Sequence, residues 1–562
     1  MESQTPDTRR YFEDVQYHNP WWNGDIAELE LVSSLTPRSN TFSLANAVND
    51  AYMDDVDERV FPQYGQSGVG KTTTLKQLIA TIIDNQDIGI DLRNEEFDRD
   101  LLTIANELNP EQVLYVPVED SQYCLSKVND SDKNETAGLE ALGRTINRFS
   151  RYHDGDYELI IVDDIGEINV SIESRANELL RHVNDKTILI VTGSLKSHVT
   201  FPDDERVRDP IPNLPRKFID VVKNEDGKLQ KLLNYQKSNI SNGYISKIRT
   251  RIREPERTAA VDPSIATCFD HLYFDVLESN QRKQLARYAQ QYFQHGGFFH
   301  RETDQVEFPR TEFVKSSLLL FLYRDVAREY NLNEPRNLQK LCTIAAEDGS
   351  EISYRDLSNI LGVDRRTVKD RYIDILRRAK VLYPQSEYSI VRHRRTRLQH
   401  QNPLYATLLS QRRLHKGFES AMNSSRTDPD FETRLARTTA VDHAERIQYW
   451  DTVEYAETEY GTVDIIMRKN EYVFPFVFAY DTPWREARQV AIKFDPSTGQ
   501  HPVEDNSGGR SIKTKDLDYT APTRFVIEDT LPYDIEDRGT LVEQVDGVTI
   551  CHLPMWLFLL VG

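Results

Sequence analysis

The sequence predicts a multidomain α/β chain: a parallel sheet first, then a helical segment, a helix-turn-helix and an α+β domain. Three observations lead there. Short β-branched runs alternate with helical stretches up to about Tyr235, the arrangement that builds βαβ units. A glycine-rich loop, Gly65 to Thr72, separates the first of these runs from a strongly helical one. And 562 residues are too many for one hydrophobic core, which sets an expectation of roughly three or four domains.

Four segments follow in order. Residues 1–235 carry the expected parallel strands Val60-Tyr64, Gln112-Val118, Leu159-Asp163 and Thr187-Thr192, with a helix over Thr73-Ile83. Residues 236–348 turn helical, with Gln281-Phe293 and Glu312-Tyr330 the clearest amphipathic stretches. Residues 349–398 hold a compact helix-turn-helix from Ile352 to Pro384 with a wing after it. Residues 399–562 read as α+β, with strand-like runs at Thr462-Met467, Tyr472-Tyr480 and Val548-Val561 and a loop over Asp495 to Asp516.

Composition excludes some classes. No apolar run approaches the ~20 residues that span a bilayer, so no membrane partner is expected. Met1 to Arg10 lack the apolar core of a signal peptide, which points to the cytoplasm. Cys124, Cys268, Cys342 and Cys551 are scattered without metal-ligand spacing and read as reduced thiols. A net charge of -21 opposes nucleic acid if spread evenly. Alternatively it is a whole-surface adaptation to a salty cytoplasm, and the local basic clusters described below favour that reading.

Gly65-Gln66-Ser67-Gly68-Val69-Gly70-Lys71-Thr72 fits G-x-x-x-x-G-K-[ST] at every position, with Thr73 beginning the helix behind it. Glycines let the backbone wrap phosphate so that N–H groups face its oxygens. Lys71 is placed to bridge the β- and γ-phosphates of ATP, and Thr72 to hold Mg²⁺. Leu159-Ile160-Ile161-Val162-Asp163-Asp164 supplies an acidic strand end. Asp163 is expected to hold the metal through water, and Asp164 to orient or deprotonate the attacking water. Thr192 or Ser194, at the end of the next strand, is expected to sense the γ-phosphate or to position water. Arg206, Arg208 and Arg216 lie where a charge-stabilising arginine would fall, without one standing out.

These motifs, with Asn19-Pro20-Trp21-Trp22, Val113-Leu114-Tyr115-Val116 and Thr192-Gly193-Ser194, resemble an archaeal and bacterial family of AAA-type P-loop ATPases. Gln294-His295-Gly296-Gly297-Phe298 is similar to that family's "GG-F-P" element without its proline, and Leu322-Tyr323-Arg324-Asp325-Val326 is a further echo. The resemblance implies a parallel-sheet ATPase, a helical lid, a winged helix and a restriction-endonuclease-like C-terminal domain.

In the helix-turn-helix, Ser353 caps a first helix, Gly362 makes the turn and Asp364 caps a second, Arg365 to Lys380. Arg365, Arg366, Lys369 and Arg371 lie at its groove-facing end, and Val368, Tyr372, Ile375 and Leu376 form its core stripe. A wing follows Tyr383-Pro384, and after it comes Arg392-His393-Arg394-Arg395-Thr396-Arg397. Such clusters in an acidic chain are the footprint expected of a duplex DNA face. A protein partner, or a second copy of the chain, is the alternative.

Resemblance continues through Asn402-Pro403-Leu404, Phe431-Glu432, Tyr449-Trp450, Val463-Asp464 and Leu553-Pro554-Met555-Trp556-Leu557-Phe558. The nuclease superfamily places Asp before E-x-K on the next strand, the carboxylates holding Mg²⁺. Aligned on Pro475, Val477 stands for that Glu and Ala479 for that Lys, while Asp464 and Glu432 survive. The expectation is therefore a nuclease-like fold without nuclease activity, unless Glu471 or Lys493 substitutes. The reading of the whole chain is a Mg²⁺-dependent ATPase acting as a DNA-associated switch. Its rivals are an ATP-dependent nuclease and a scaffold ATPase whose winged helix binds protein.

Overall fold

The computed structural model describes residues 15–33, 39–53, 56–66, 68–83, 108–118, 137–153, 156–168, 170–225, 240–253, 264–298, 310–348, 352–388, 396–410, 429–447, 452–480, 482–499, 502–503, 513–514 and 520–561. These gather into two compact units. One comprises the described residues of 1–215 with 316–333, and the other those of 216–298, 310–315 and 334–561.

The first unit is built on five strands: β1 (Val60–Tyr64), β2 (Val113–Pro117), β3 (Glu158–Asp163), β4 (Thr187–Gly193) and β5 (Ile211–Pro212). Their order is β2-β3-β4-β1-β5, and every pairing is parallel. Strands covered on both faces read as continuous apolar runs, and all residues of β2, β3 and β4 are buried. One face packs Leu75, Leu78, Ile79 and Ile82 of the helix Lys71–Ile83 against Phe61, Tyr115, Ile161 and Ile190. Each such side chain gains about 1.5–3 kcal/mol from full burial. The other face packs Leu142 and Ile146 of the helix Ala137–Tyr152 against Leu114, Ile160 and Val162.

Strand β2 is the edge of this sheet, and side chains from the Asn19-Pro20-Trp21-Trp22 turn satisfy it. The Asn19 amide accepts from Tyr115 N (2.7 Å) and donates to Tyr115 O (2.9 Å), in the manner of a neighbouring strand. The Trp22 indole donates to Val113 O (2.9 Å). An open edge is thereby closed without a sixth strand.

The second unit carries an eight-stranded sheet of order β14-β15-β13-β10-β9-β8-β6-β7. Its strands are β6 (Leu382–Glu387), β7 (Thr396–His400), β8 (Thr452–Thr458), β9 (Gly461–Lys469), β10 (Tyr472–Phe478), β13 (Arg524–Glu528), β14 (Val542–Val545) and β15 (Val548–Pro554). A short hairpin, β11 (Pro502–Val503) with β12 (Lys513–Thr514), stands apart from it. Helices cover both faces. Phe476, Phe525 and Phe474 share one core with the helices Pro429–Arg446 and Met555–Leu559, and Val477 and Val526 share another with Ala487 and Val490 of the helix Trp484–Lys493.

Several expectations need correction. The hairpin in the stretch expected as a wing, β6 with β7, also ends the large sheet, because Ser386 and Glu387 pair with Glu454 and Tyr455 of β8. The segment expected as one helical lid, 236–348, divides, with 316–333 belonging to the first unit. Strand Val548-Val561 stops at Pro554, after which Met555–Leu559 is helical. The helix-turn-helix itself follows its sequence signals. Ser353 accepts from Asp356 N, Gly362 takes φ +68°, and Asp364 accepts from Thr367 N (2.9 Å). The second helix takes a π-helical course over Thr367–Ile373 and ends at Arg378, where Lys380 turns left-handed at φ +57°.

Candidate nucleotide site

Parallel strands direct their C-terminal ends to one side, and the motif residues converge there. The phosphate loop leaves β1 and enters the helix Lys71–Ile83, with Gly68 at φ +83° and Gly70 at φ +91°, conformations that favour glycine. Ser67 lies outside the described residues. Lys71 is buried, its Nζ donating to Gly65 O (2.7 Å) and standing 3.6 Å from Asp164 Oδ1. Thr72 Oγ1 donates to Asp163 Oδ2 (2.7 Å).

Strand order explains the acidic cluster. β4 lies between β1 and β3, so its end sits beside both the loop and the aspartates. Thr192 Oγ1 donates to Asp163 Oδ1 and accepts from Asp164 N (3.0 Å). The hydroxyl expected to face phosphate is thus engaged in fixing the acidic pair. Ser194 Oγ lies 3.3 Å from His198 Nδ1. Asp164 adopts φ +58°, a left-handed conformation that costs a non-glycine residue about 1–3 kcal/mol. Burial raises the Asp164 pKa, Lys71 opposes that, and the charges of Asp163 and Asp325 add to it.

Tyr115, which the motifs alone do not single out, donates from its hydroxyl to Asp163 Oδ2 (2.9 Å). Burial, then the Asp163 charge, pushes its pKa well above that of an ordinary tyrosine. The sequence signal that could have found it is Val113-Leu114-Tyr115-Val116, whose alternate residues face one side of β2. Among the described residues no cluster of three His, Cys, Asp or Glu is arranged to hold a metal. Thr72 with Asp163 is a hard-oxygen pair suited to Mg²⁺, an ion that commonly takes one or two carboxylates and completes its shell with water and phosphate.

Beside this cluster a cavity of about 320 Å³ is lined by Gly166, Ser171, His198, Asp325, Arg328 and Glu329, among others. The Leu322-Tyr323-Arg324-Asp325-Val326 element belongs here. Arg324 bridges Glu167 (2.9 Å) and Asp325 (2.7 Å). Arg206 is tied to its neighbour Asp204 (2.7 Å).

Elsewhere, Arg365, Arg366, Lys369 and Arg371 are all exposed on the second helix of the helix-turn-helix, while Val368, Tyr372, Ile375 and Leu376 are buried. Arg394 and Arg395 lie outside the described residues. In the larger sheet Asp464 is buried, accepting from Arg437 Nε (2.8 Å) and from Phe478 N (2.8 Å). Val477 is buried in the sheet core.

A five-stranded parallel sheet, a phosphate loop between strand and helix, and paired aspartates two strands away define a P-loop α/β fold of the nucleotide-binding class. A family model for a domain of unknown function (DUF8612) matches residues 286–407. No curated protein matches the sequence. Among solved structures, the Orc1 protein of Aeropyrum pernix in complex with DNA is similar over 71% of this chain and 94% of its own, at 13% identity and a TM-score of 0.27. A DNA polymerase III gamma subunit-related protein of Thermotoga maritima is similar over 60% and 99%, at 14% identity and 0.21. For the Cdc6p protein of Pyrobaculum aerophilum the figures are 67% and 92%, 13% and 0.18.

Proposed function

We propose that the chain is a Mg²⁺-dependent AAA-type ATPase that works as a DNA-associated switch. The observation that carries the proposal is the convergence of Lys71 on Asp164 (3.6 Å) and of Thr72 on Asp163 (2.7 Å) at the ends of parallel strands. Phosphate would displace Lys71 Nζ from Gly65 O and take its charge. Thr72 and Asp163 would hold Mg²⁺, which screens the phosphate charge when bound. Asp164 would accept a hydrogen bond from the attacking water and draw its proton. Thr192 would keep the two aspartates in register rather than touch phosphate.

DNA is the partner proposed for Arg365, Arg366, Lys369 and Arg371, four exposed cations on one helix of an otherwise acidic chain. Phosphate contacts would supply most of the affinity. The C-terminal sheet is proposed to have no nuclease activity. Val477 and Ala479 offer neither a metal ligand nor a cation, and Arg437 and a backbone N–H already engage Asp464. A protein partner or self-association is the reading that remains if DNA has no effect.

Steady-state ATP hydrolysis with and without duplex DNA, from low salt to molar KCl, tests the switch. The expected result is stimulation by DNA that fades as salt rises. Turnover indifferent to DNA at every salt would reject it.

A further inference from the structure

His198 sits four residues beyond Ser194, in the short turn Lys196–Val199 after β4, and no part of the phosphate-loop chemistry uses it. Its surroundings are specific. The ring is buried and lies directly over Gly166, two residues beyond Asp164, so closely that a Cβ at Gly166 would overlap it. Nδ1 faces the Ser194 hydroxyl at 3.3 Å, and Nε2 faces Glu329 Oε2 at 3.5 Å. Arg175, itself buried, reaches the same Glu329 oxygen at 3.8 Å and donates to the His198 carbonyl at 3.3 Å. One imidazole therefore touches three elements: the end of β4, the turn that carries Asp164, and the helical turn Ala327–Glu329.

That helical turn follows the Leu322-Tyr323-Arg324-Asp325-Val326 element directly, and a second link runs parallel to the first. Arg324 pairs with Glu167, one residue beyond Gly166. Asp325 and His198 line the same cavity. The backbone of Asp164 is held at φ +58°, a conformation that persists only where neighbours over-determine it. His198 against Gly166, Arg324 on Glu167 and Thr192 on Asp164 N are three such restraints.

We propose that His198 is a positioning residue for hydrolysis: bridging Ser194 and Glu329 across Gly166, it holds the Asp164 turn at the angle the attacking water requires. It does so without touching nucleotide. This rests on the ATPase reading and extends it, by making residues 321–329 part of the machinery that sets turnover. A buried side chain that only packed would alter folding and nucleotide affinity together with rate. A positioning side chain lowers the rate at unchanged nucleotide affinity, because its effect on turnover runs through the geometry of one carboxylate.

The test uses the full chain and measures kcat, the affinity for a fluorescent ATP analogue and the thermal midpoint on the same preparations. His198→Ala is expected to lower kcat by roughly ten- to a hundredfold, with nucleotide affinity close to wild type and a thermal midpoint lowered only to the extent that Glu329→Gln, which weakens the same bridge, lowers it. His198→Gln keeps a polar group where Nε2 reaches Glu329, and is expected to recover part of that loss. In a Glu329→Gln background, His198→Ala should cost less than it does in wild type, since the bridge is already weakened. The proposal is overturned if His198→Ala turns over like wild type. It is equally overturned if its rate falls in step with affinity and thermal midpoint, with no recovery in His198→Gln. Wild-type protein without any ATP turnover would remove the ATPase reading as well, so the two failures are told apart by the wild-type trace.

Discussion

Lys71 and Asp164 illustrate what one residue contributes at this site. Without phosphate, the ammonium group is satisfied by Gly65 O and by the Asp164 carboxylate, so its burial carries no unpaired charge. In the proposed nucleotide complex, phosphate oxygens would replace those partners. Lys71→Ala is accordingly expected to abolish binding of a fluorescent ATP analogue while the far-ultraviolet circular dichroism stays native. Retained affinity would mean the loop does not bind phosphate. Tyr115 works on the other aspartate. Tyr115→Phe removes one of the hydroxyl donors to Asp163 and should lower the stability of the first unit by about 1 kcal/mol, read as a shift in urea midpoint. No shift would show the hydrogen bond to be incidental.

Asn19 acts at the scale of an element. Its amide satisfies the backbone of edge strand β2 in both directions, so Asn19→Ala would leave a buried N–H and a buried C=O of Tyr115 unpaired. At about 1–3 kcal/mol for each group, the loss should exceed that of an ordinary surface change several-fold. Thermal unfolding measures it, and a midpoint unchanged from wild type would refute the capping role. Two carboxylates predict how the fold responds to acid. Hydrogen bonding from His198 holds the Glu329 pKa down to about 2, and that from Arg488 holds Glu543 down to about 2. A depressed carboxylate stabilises the fold fully above its ordinary value of 4.5, and the contribution is lost as pH falls towards the folded value. Urea midpoints should therefore drop for wild type between about pH 4.5 and 2. Glu329→Gln should show a shallower fall, and parallel curves would deny the linkage.

Some elements are legible from local pattern and others are not, for physical reasons. β1 falls on Val60–Tyr64 as its apolar start, Val60-Phe61, ahead of the glycine-rich loop predicts, and the phosphate loop fixes where the following helix begins. Caps at Ser353 and Asp364 are local chemistry and read correctly. That the hairpin β6–β7 joins the large sheet is not legible, because its partner β8 begins more than fifty residues beyond it in the chain and nothing in the hairpin itself encodes that pairing. Met555–Val561 is buried throughout, so it has no polar face whose period could tell helix from strand. His198 is invisible in the sequence for the same reason as β8, since Gly166 and Glu329 meet it only in three dimensions.

The whole molecule carries a net charge of -21, and any affinity for DNA must be local and salt-dependent. Reversing Arg365, Arg366 and Lys369 to Glu should weaken duplex binding similarly for all sequences. It should also reduce the slope of log affinity against log salt by nearly one for each phosphate that is no longer neutralised. Fluorescence anisotropy at several KCl concentrations reads both, and an unchanged slope would place the DNA interface elsewhere. ATP hydrolysis by this chain is proposed to depend on Asp164 aligning the attacking water. Phosphate release by wild type and Asp164→Asn, measured beside ATP affinity, tests it most directly. Asp164→Asn is expected to bind ATP like wild type and to lose turnover by about a hundredfold or more. Equal turnover in the two proteins would contradict it.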